Sequence, residues 1–172
     1  MKKALTDEYL EFAAGRSGHL FRSACLLTSG DTHLAEDLVQ ETLGRMYVTW
    51  RRISKIENPA AYAQTVLVRT FLTHQRRRSS RESPTGELPD ASTAPVSAEG
   101  DATLRITLLD ALGRLPPKDR AVLVLRYWED RSIEETAAAM RASSGAVRSR
   151  STRALAKLRE LLGGSLAELV AR

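Results

Sequence analysis

A C-terminal stretch of the chain carries polar side chains at a spacing that suits contact with nucleic acid. Ser132 and Glu135 have the spacing of a capping box, residues 141–143 form a break, and a second helical pattern runs from about Ser144 to Leu162. With the leucine stripe of that second helix inward, a rotation of about 100° per residue turns five side chains outward: Arg148, Ser149, Thr152, Arg153 and Arg159. Arginine forks onto guanine or phosphate, and hydroxyls bond both. The pattern predicts a helix-turn-helix that fits a DNA major groove, with a merely solvated basic face as the open alternative.

A compact acidic patch lies on a second predicted helix, Thr32–Ile53. Apolar residues such as Leu38 recur along one side of this helix, so the rotation places Asp37, Gln40 and Glu41 almost opposite them. The whole chain has a formal net charge of +5. An exposed acidic patch is therefore predicted on an otherwise basic protein.

A third predicted helix is basic at its end. Asn58 and Pro59 are suited to the N-cap and the first helical position, and the helix then runs from Ala60 to about Arg78. It turns Arg69 and Arg76 outward and ends in Arg76-Arg77-Arg78. Such a cluster is commonly a solvated helix end that complements the helix dipole.

The elements that carry these residues fall into two helical groups. One or two helices are expected between Asp7 and Thr28, with 15–18 as a candidate interruption, and later helices at Ala102–Gly113 and from Lys118 to about Trp128. The segment 81–101 between the groups has one basic and five acidic residues and is rich in Pro, Ser and Gly. We therefore expect an all-α fold with two small helical domains, residues 1–79 and 102–172, joined by a flexible acidic linker, residues 80–101.

Composition excludes several classes of protein. The chain has 26 Lys and Arg against 21 Asp and Glu, which favours a polyanionic partner. Cys25 is the single cysteine, so an internal disulfide and a cysteine-based zinc site are excluded.

No signal-like start and no apolar run near 18 residues occur, which predicts a cytoplasmic protein without a membrane segment. No paired carboxylates, Ser/His/Asp set, metal spacing or glycine-rich phosphate loop appears, so we expect no catalytic residue, metal, cofactor or small-molecule substrate.

The order of these parts resembles an extracytoplasmic-function sigma factor, and more closely the short actinobacterial group of that family. Four motifs carry the resemblance: Ala35–Thr42, Asn58–Tyr62, Leu112–Asp130 with its Leu-Pro-Pro segment, and the helix-turn-helix. Together they cover roughly residues 9–162 without the linker. Each motif is moderately specific, and their order across two domains is highly specific.

The resemblance implies that the two domains bind different partners. In the family, the first domain (region two) binds the clamp helices of the largest RNA polymerase subunit and captures the melted minus-ten promoter element. The second domain (region four) reads the minus-thirty-five element and touches the polymerase flap. The resemblance also implies promoter DNA and an anti-sigma factor as partners. Residue matching places the clamp-binding positions at Asp37, Gln40 and Glu41, and the upstream-element positions at Arg126, Arg148, Ser149, Thr152 and Arg153.

Promoter opening is expected to use the helix that ends at Arg78, with Arg69, Arg76 and Arg77 as candidate contacts to the downstream element. Arg69 stands where many relatives have an asparagine that faces an unstacked base. An arginine can contact phosphate or stack on a base, but it lacks the paired donor and acceptor of an amide. The competing interpretation is a conventional regulator that binds duplex DNA without polymerase, usually as a dimer. That class gives no role to the acidic patch.

Overall fold

The structure is a computed structural model that describes the backbone of residues 2–81 and 99–170 and the side chains within 2–81 and 102–163. These residues form helices and turns, with no strand among them. The helices are α1 (Lys3–Leu27), α2 (Thr32–Ile53), α3 (Pro59–Arg81), α4 (Glu99–Gly113), α5 (Pro117–Leu123), α6 (Ile133–Met140) and α7 (Ser144–Val170), with a π-helical turn at Val124–Trp128. Most of the predicted linker, residues 82–98, lies outside the described residues.

Local capping explains where the first helices begin. The Asp31 carboxylate accepts a hydrogen bond of 3.1 Å from the Leu34 amide at the start of α2, and the Asn58 side chain accepts one of 3.0 Å from the Ala61 amide at the start of α3. Between α1 and α2, Ser29 and Gly30 have φ angles of +58° and +88°, which reverse the chain tightly. The predicted start of α2 at Thr32 and the predicted cap at Asn58 are confirmed.

The structure decides one open expectation about the helices and changes the extent of two predicted elements. Of the one or two helices expected between Asp7 and Thr28, the structure has one, α1, which continues through residues 15–18 and buries Tyr9 and Leu20 on either side of them. The predicted helix from Lys118 to Trp128 ends in a π turn, where the Glu129 amide reaches the Val124 carbonyl at 2.9 Å. α7 continues to Val170, well past the predicted end near Leu162.

Helices α1–α3 form the N-terminal unit, and α4–α7 with the π turn form the C-terminal unit. Each unit has its own buried contacts, such as Leu38 and Met46 in the first and Val122 and Val147 in the second. One apolar cluster nevertheless spans both units, since Leu125 of the π turn is fully buried in the cluster that contains Phe71 of α3. The two units therefore pack against each other.

The capping box of α6 gives a first testable prediction. The Ser132 hydroxyl accepts the Glu135 amide at 3.0 Å, and the Glu135 carboxylate accepts the Ser132 amide at 3.4 Å. Ser132→Ala should lower the stability by about 1 kcal/mol, which thermal unfolding would report as a fall of roughly 2–4 °C in Tm. Glu134→Ala, in the same turn but outside the box, is the control and should cost less. Identical melting of Ser132→Ala and the parent protein would show that the cap does not stabilise α6.

Candidate nucleic-acid interface

The predicted helix-turn-helix is present as α6, a short turn and α7. Arg141 ends α6 in the left-handed conformation with φ +53°, and the Ala142 amide donates to the Ala137 carbonyl at 3.0 Å. The Ser143 hydroxyl then accepts the Ala146 amide at 3.1 Å as α7 begins. The turn therefore follows from a left-handed C-cap and a serine N-cap in immediate succession.

Helix α7 presents two chemically different faces. Val147 and Ala154 are each 1 % exposed and pack toward Val122 and Leu123 of α5. The opposite face is open to solvent and carries the predicted contact residues Arg148, Ser149, Thr152 and Arg153. These four side chains are therefore exposed, as the rotation of about 100° per residue predicted.

A partly buried ion pair orients α7 on α5. The Arg150 guanidinium lies 2.7 Å from the Asp119 carboxylate, whose side chain is only 10 % exposed. Asp119 stands in the first turn of α5, where the helix dipole also favours a negative charge. The pair joins the recognition helix to the helix that supports it.

Replacing Arg150 should therefore destabilise the C-terminal unit. Arg150→Met leaves the Asp119 carboxylate buried without its charged partner, and we expect a loss of about 1–3 kcal/mol in the free energy of unfolding. Urea unfolding would measure this loss. Arg159→Met removes the same charge from an exposed position of α7 and serves as the matched control. Equal unfolding midpoints for the two variants would contradict the proposed role of the pair.

Arg126 lies near the exposed α7 residues, although it belongs to the π turn and not to α7. It lies on the π turn, donates a hydrogen bond to the Arg131 carbonyl, and places its guanidinium 5.7 Å from the centre of the Tyr127 ring. An open groove runs between the π turn and α7. Its lining includes Arg126, Tyr127, Arg148, Thr152 and Arg159, and none of the described residues that line it is acidic.

The structure thus brings Arg126, Arg148 and Thr152 together in one groove, while Ser149 and Arg153 lie on the exposed face beside it. Tyr127 is 55 % exposed at the groove, although sequence reasoning placed no function on it. Its position at the end of an apolar run is typical of a core residue, and in the structure it lies on the π turn.

The acidic patch on α2 is exposed as predicted. Asp37, Gln40 and Glu41 all face solvent, and the Glu41 carboxylate accepts a hydrogen bond of 2.7 Å from Arg45. Leu38 and Met46 on the other side of the helix are buried. The patch is on the N-terminal unit, on a different element from the α7 groove.

The three candidate arginines of α3 have different surroundings. Arg69 donates to the Ala139 and Ala138 carbonyls of α6 at 2.9 and 3.0 Å. Burial and the charge of Arg141 lower the pKa of Arg69, against a smaller opposing effect of Tyr62. Arg76 and Arg77 are exposed, and Arg77 lines a cleft with His74 and Arg81. The structure therefore separates Arg69 from the other two, because Arg69 contacts the C-terminal unit.

Metal-binding clusters and membrane-spanning helices are absent from the described part of the chain. No group of three or more His, Cys, Asp or Glu side chains there is placed to hold a metal ion. Among the described helices, none is both long and apolar enough to cross a membrane. Cys25 is half-buried, and burial raises the pKa of its thiol.

Comparison with known proteins gives matches over both units. Residues 16–81 match the family model of sigma-70 region 2, and residues 111–160 match that of sigma-70 region 4. The RNA polymerase sigma-E factor of Streptomyces avermitilis is 44 % identical over 90 % of this chain and 85 % of its own length. The ECF RNA polymerase sigma factor SigL of Mycobacterium tuberculosis is 31 % identical over 92 % of this chain and 87 % of its own. Among solved structures, the sigma factor RpoE of Bartonella quintana, in complex with the anti-sigma factor NepR, has a TM-score of 0.75 and 25 % identity, covering 91 % of this chain and 97 % of that one.

Proposed function

The chain belongs to the sigma-70 family, as an extracytoplasmic-function sigma factor of the actinobacterial type, and we propose which of its surfaces meet RNA polymerase and the promoter. It is an alternative sigma factor that binds the polymerase core and directs promoter recognition and transcription initiation. The observation that carries this function is the occurrence of region 2 and region 4, in that order, over both helical units.

The α7 face is proposed to read the upstream, minus-thirty-five element. Arg148, Ser149, Thr152 and Arg153 are exposed on one face of the second helix of a helix-turn-helix, which is the helix that enters the major groove in this motif. Arg126 adds a guanidinium from the π turn at the edge of the same face. A groove with three arginines, and with no acidic side chain among the described residues that line it, suits a phosphate backbone, and forked arginines suit guanine edges.

The acidic patch of α2 is proposed to bind the polymerase clamp helices. Asp37 and Glu41 lie one helical turn apart on the exposed face, with Gln40 beside them. Charge complementarity to a basic partner surface would orient the protein on the polymerase and speed association. The supporting observation is that this patch is exposed and acidic on a protein of net charge +5.

Helix α3 is proposed to meet the downstream, minus-ten element. Arg76 and Arg77 are exposed and can contact phosphates. Arg69 is proposed to join them when its bonds to α6 are released. We also propose domain limits of 1–79 and 102–172 with a tether at 80–101, and a contact of the C-terminal domain with the polymerase flap.

Further features of the proposal concern partners and place of action. Sigma-70 proteins are initiation factors, and we propose that this chain has no catalytic step, cofactor or small-molecule substrate of its own. We propose that it acts in the cytoplasm with the polymerase. An anti-sigma factor is proposed as a regulatory partner, which the complex of the Bartonella relative with NepR supports.

Run-off transcription tests the proposed function directly. Purified actinobacterial core polymerase would be supplied with genomic promoter fragments, with and without this protein. Transcripts that appear only with the protein, and whose start sites share two spaced elements, are the expected result. Absence of transcripts together with tight, polymerase-free binding of duplex DNA would instead identify a conventional regulator.

A further inference from the structure

The groove between the π turn and α7 has an apolar part as well as a cationic part. Three arginines supply its positive charge, and its apolar surface comes from Ile133, Leu155 and Ala156. The volume of the groove is about 290 Å³, near the lower end of the roughly 300–1,000 Å³ that is typical of small-ligand sites. A phosphate alone requires only the cations, so the apolar part indicates a ligand that also has a ring.

Tyr127 supplies an aromatic ring that lines this groove and is open to solvent. The side chain is 55 % exposed, and the guanidinium carbon of Arg126 lies 5.7 Å from the centre of its ring. Aromatic side chains beside cationic groups bind nucleic acids by packing on their rings, whatever the identity of the base. The groove therefore holds a ring-binding group and a phosphate-binding group side by side.

Ser151 places an unpartnered hydroxyl in the wall of the groove. The residue is 7 % exposed, and its Oγ has no hydrogen-bond partner among the residues that the structure describes. The neighbouring Thr152 shows the usual arrangement, since its hydroxyl donates to the Arg148 carbonyl at 3.1 Å. Buried hydroxyls in proteins are nearly always hydrogen-bonded. The wall thus has a hydrogen-bonding capacity that the described part of the chain does not use.

Arg126 has an unused donor of the same kind. One terminal nitrogen of its guanidinium donates to the Arg131 carbonyl, which holds the group in place. Its buried Nε has no hydrogen-bond partner within the described ranges. A guanidinium binds phosphate best through two neighbouring N–H groups at once. Arg126 is therefore oriented by one bond and keeps an N–H group for an anion.

We propose that this groove is a nucleotide subsite, in which the Tyr127 ring packs on a sugar or base ring while Arg126, Ser151 and Arg159 bind the attached phosphate. The ligand chemistry is one phosphate joined to one ring, which either the promoter backbone or a free nucleoside monophosphate supplies. The first source rests on the proposed function of α7, whereas the second does not. A free nucleotide in the groove competes with the upstream element for Arg126.

Titration calorimetry of the full chain with adenosine monophosphate tests the free nucleotide as the source. Ring stacking tolerates every base, so one nucleotide represents the class. Tyr127→Ala should weaken binding by about fivefold or more, because the stacked ring is lost. Tyr127→Phe keeps the ring and should bind nearly as tightly as the parent protein. Inorganic phosphate, which has no ring, should bind the parent protein and Tyr127→Ala equally.

Ser151→Ala separates ligand binding from folding. In the free protein this change removes a buried hydroxyl that has no partner, so thermal unfolding should show an unchanged or higher Tm. The same change removes a hydrogen bond to a charged phosphate and should weaken nucleotide binding by about tenfold or more. A lower Tm with unchanged binding would show that the hydroxyl serves the packing of α7, and would remove Ser151 from the subsite.

Binding of promoter duplexes by the holoenzyme tests the DNA backbone as the source. Tyr127→Ala and Arg159→Met should weaken binding to a cognate and to a scrambled upstream element by the same factor, since backbone contacts carry no sequence information. Lys157→Met removes a charge from an exposed position of α7 that does not line the groove. As the matched control, it should bind both duplexes more tightly than Arg159→Met does.

The two assays together decide the occupant. Loss of adenosine monophosphate binding in Tyr127→Ala and Ser151→Ala would assign the groove to free nucleotides, and an equal loss on both duplexes would assign it to the promoter backbone. If Tyr127→Ala behaved like Tyr127→Phe in both assays, the nucleotide subsite would be overturned. Run-off transcription by the parent protein reports on sigma activity without any of these substitutions, so failure of this inference is distinguishable from failure of the proposed function.

Discussion

Replacement of Asp37 and Glu41 with alanine should abolish polymerase-dependent transcription and leave the fold intact. Both side chains are exposed on α2, so their loss should change the free energy of unfolding by no more than about 0.5 kcal/mol. At an interface, truncation of one partner of a desolvated charge pair costs about 2–5 kcal/mol. Even the lower figure, for one pair, is roughly a 30-fold loss of affinity.

Two measurements would check this expectation. Binding of the labelled protein to core polymerase should weaken by at least that factor, and run-off transcripts should disappear. Glu36→Ala is the matched control, because Glu36 is an exposed acidic residue of the same helix. Its charge raises the pKa of the Cys25 thiol on α1, so Glu36 lies on the side of α2 that is nearer to α1. Unchanged polymerase affinity in the double variant, or an equal loss in Glu36→Ala, would remove the patch from the clamp interface.

Arg153→Ala is expected to weaken use of the cognate promoter while polymerase binding stays normal. Arg153 is exposed on the face of α7 that is proposed to enter the major groove, next to Ser149 and Thr152. A bidentate arginine contact to a base pair is worth about 1–3 kcal/mol of discrimination. That range corresponds to a loss of about 5- to 150-fold in promoter use at limiting protein.

The promoter comparison distinguishes base reading from general attraction to DNA. Transcription from the cognate upstream element and from a scrambled one would be measured for the parent protein, Arg153→Ala and Lys157→Ala. Lys157 is exposed on the next turn of α7 and lies 3.8 Å from Glu160, so its replacement controls for loss of a positive charge on that helix. If Arg153→Ala kept the full preference for the cognate element, Arg153 would not be a base-reading residue.

Local signals in the sequence were sufficient to place the starts of α2, α3 and α6. Asp31, Asn58 and Ser132 are short polar side chains that cap the amides of the following turn, and each does so in the structure. Such bonds join residues that are three apart, so they depend little on distant packing. The π turn at Val124–Trp128 was not predicted, because a wider turn has the same apolar composition as an α-helix.

The exposed faces were also predictable, in part. Rotation along α2 and α7 placed Asp37 and Arg148 outward, and both are exposed. The same rotation placed Arg69 outward on α3, yet Arg69 is half-buried because α6 covers it. Periodicity identifies the side of a helix that is polar, but it cannot say whether another polar surface will cover that side.

The sequence by itself determined the helical fold, the division into two units, the helix-turn-helix and the resemblance to sigma factors. These properties follow from apolar spacing, caps and motif order, which are local along the chain. The tertiary structure alone decided that the units pack together, with Arg69, Arg120 and Arg131 bonded across the contact. A bond from a guanidinium to a distant backbone carbonyl has no sequence signature, because every residue supplies the same carbonyl acceptor.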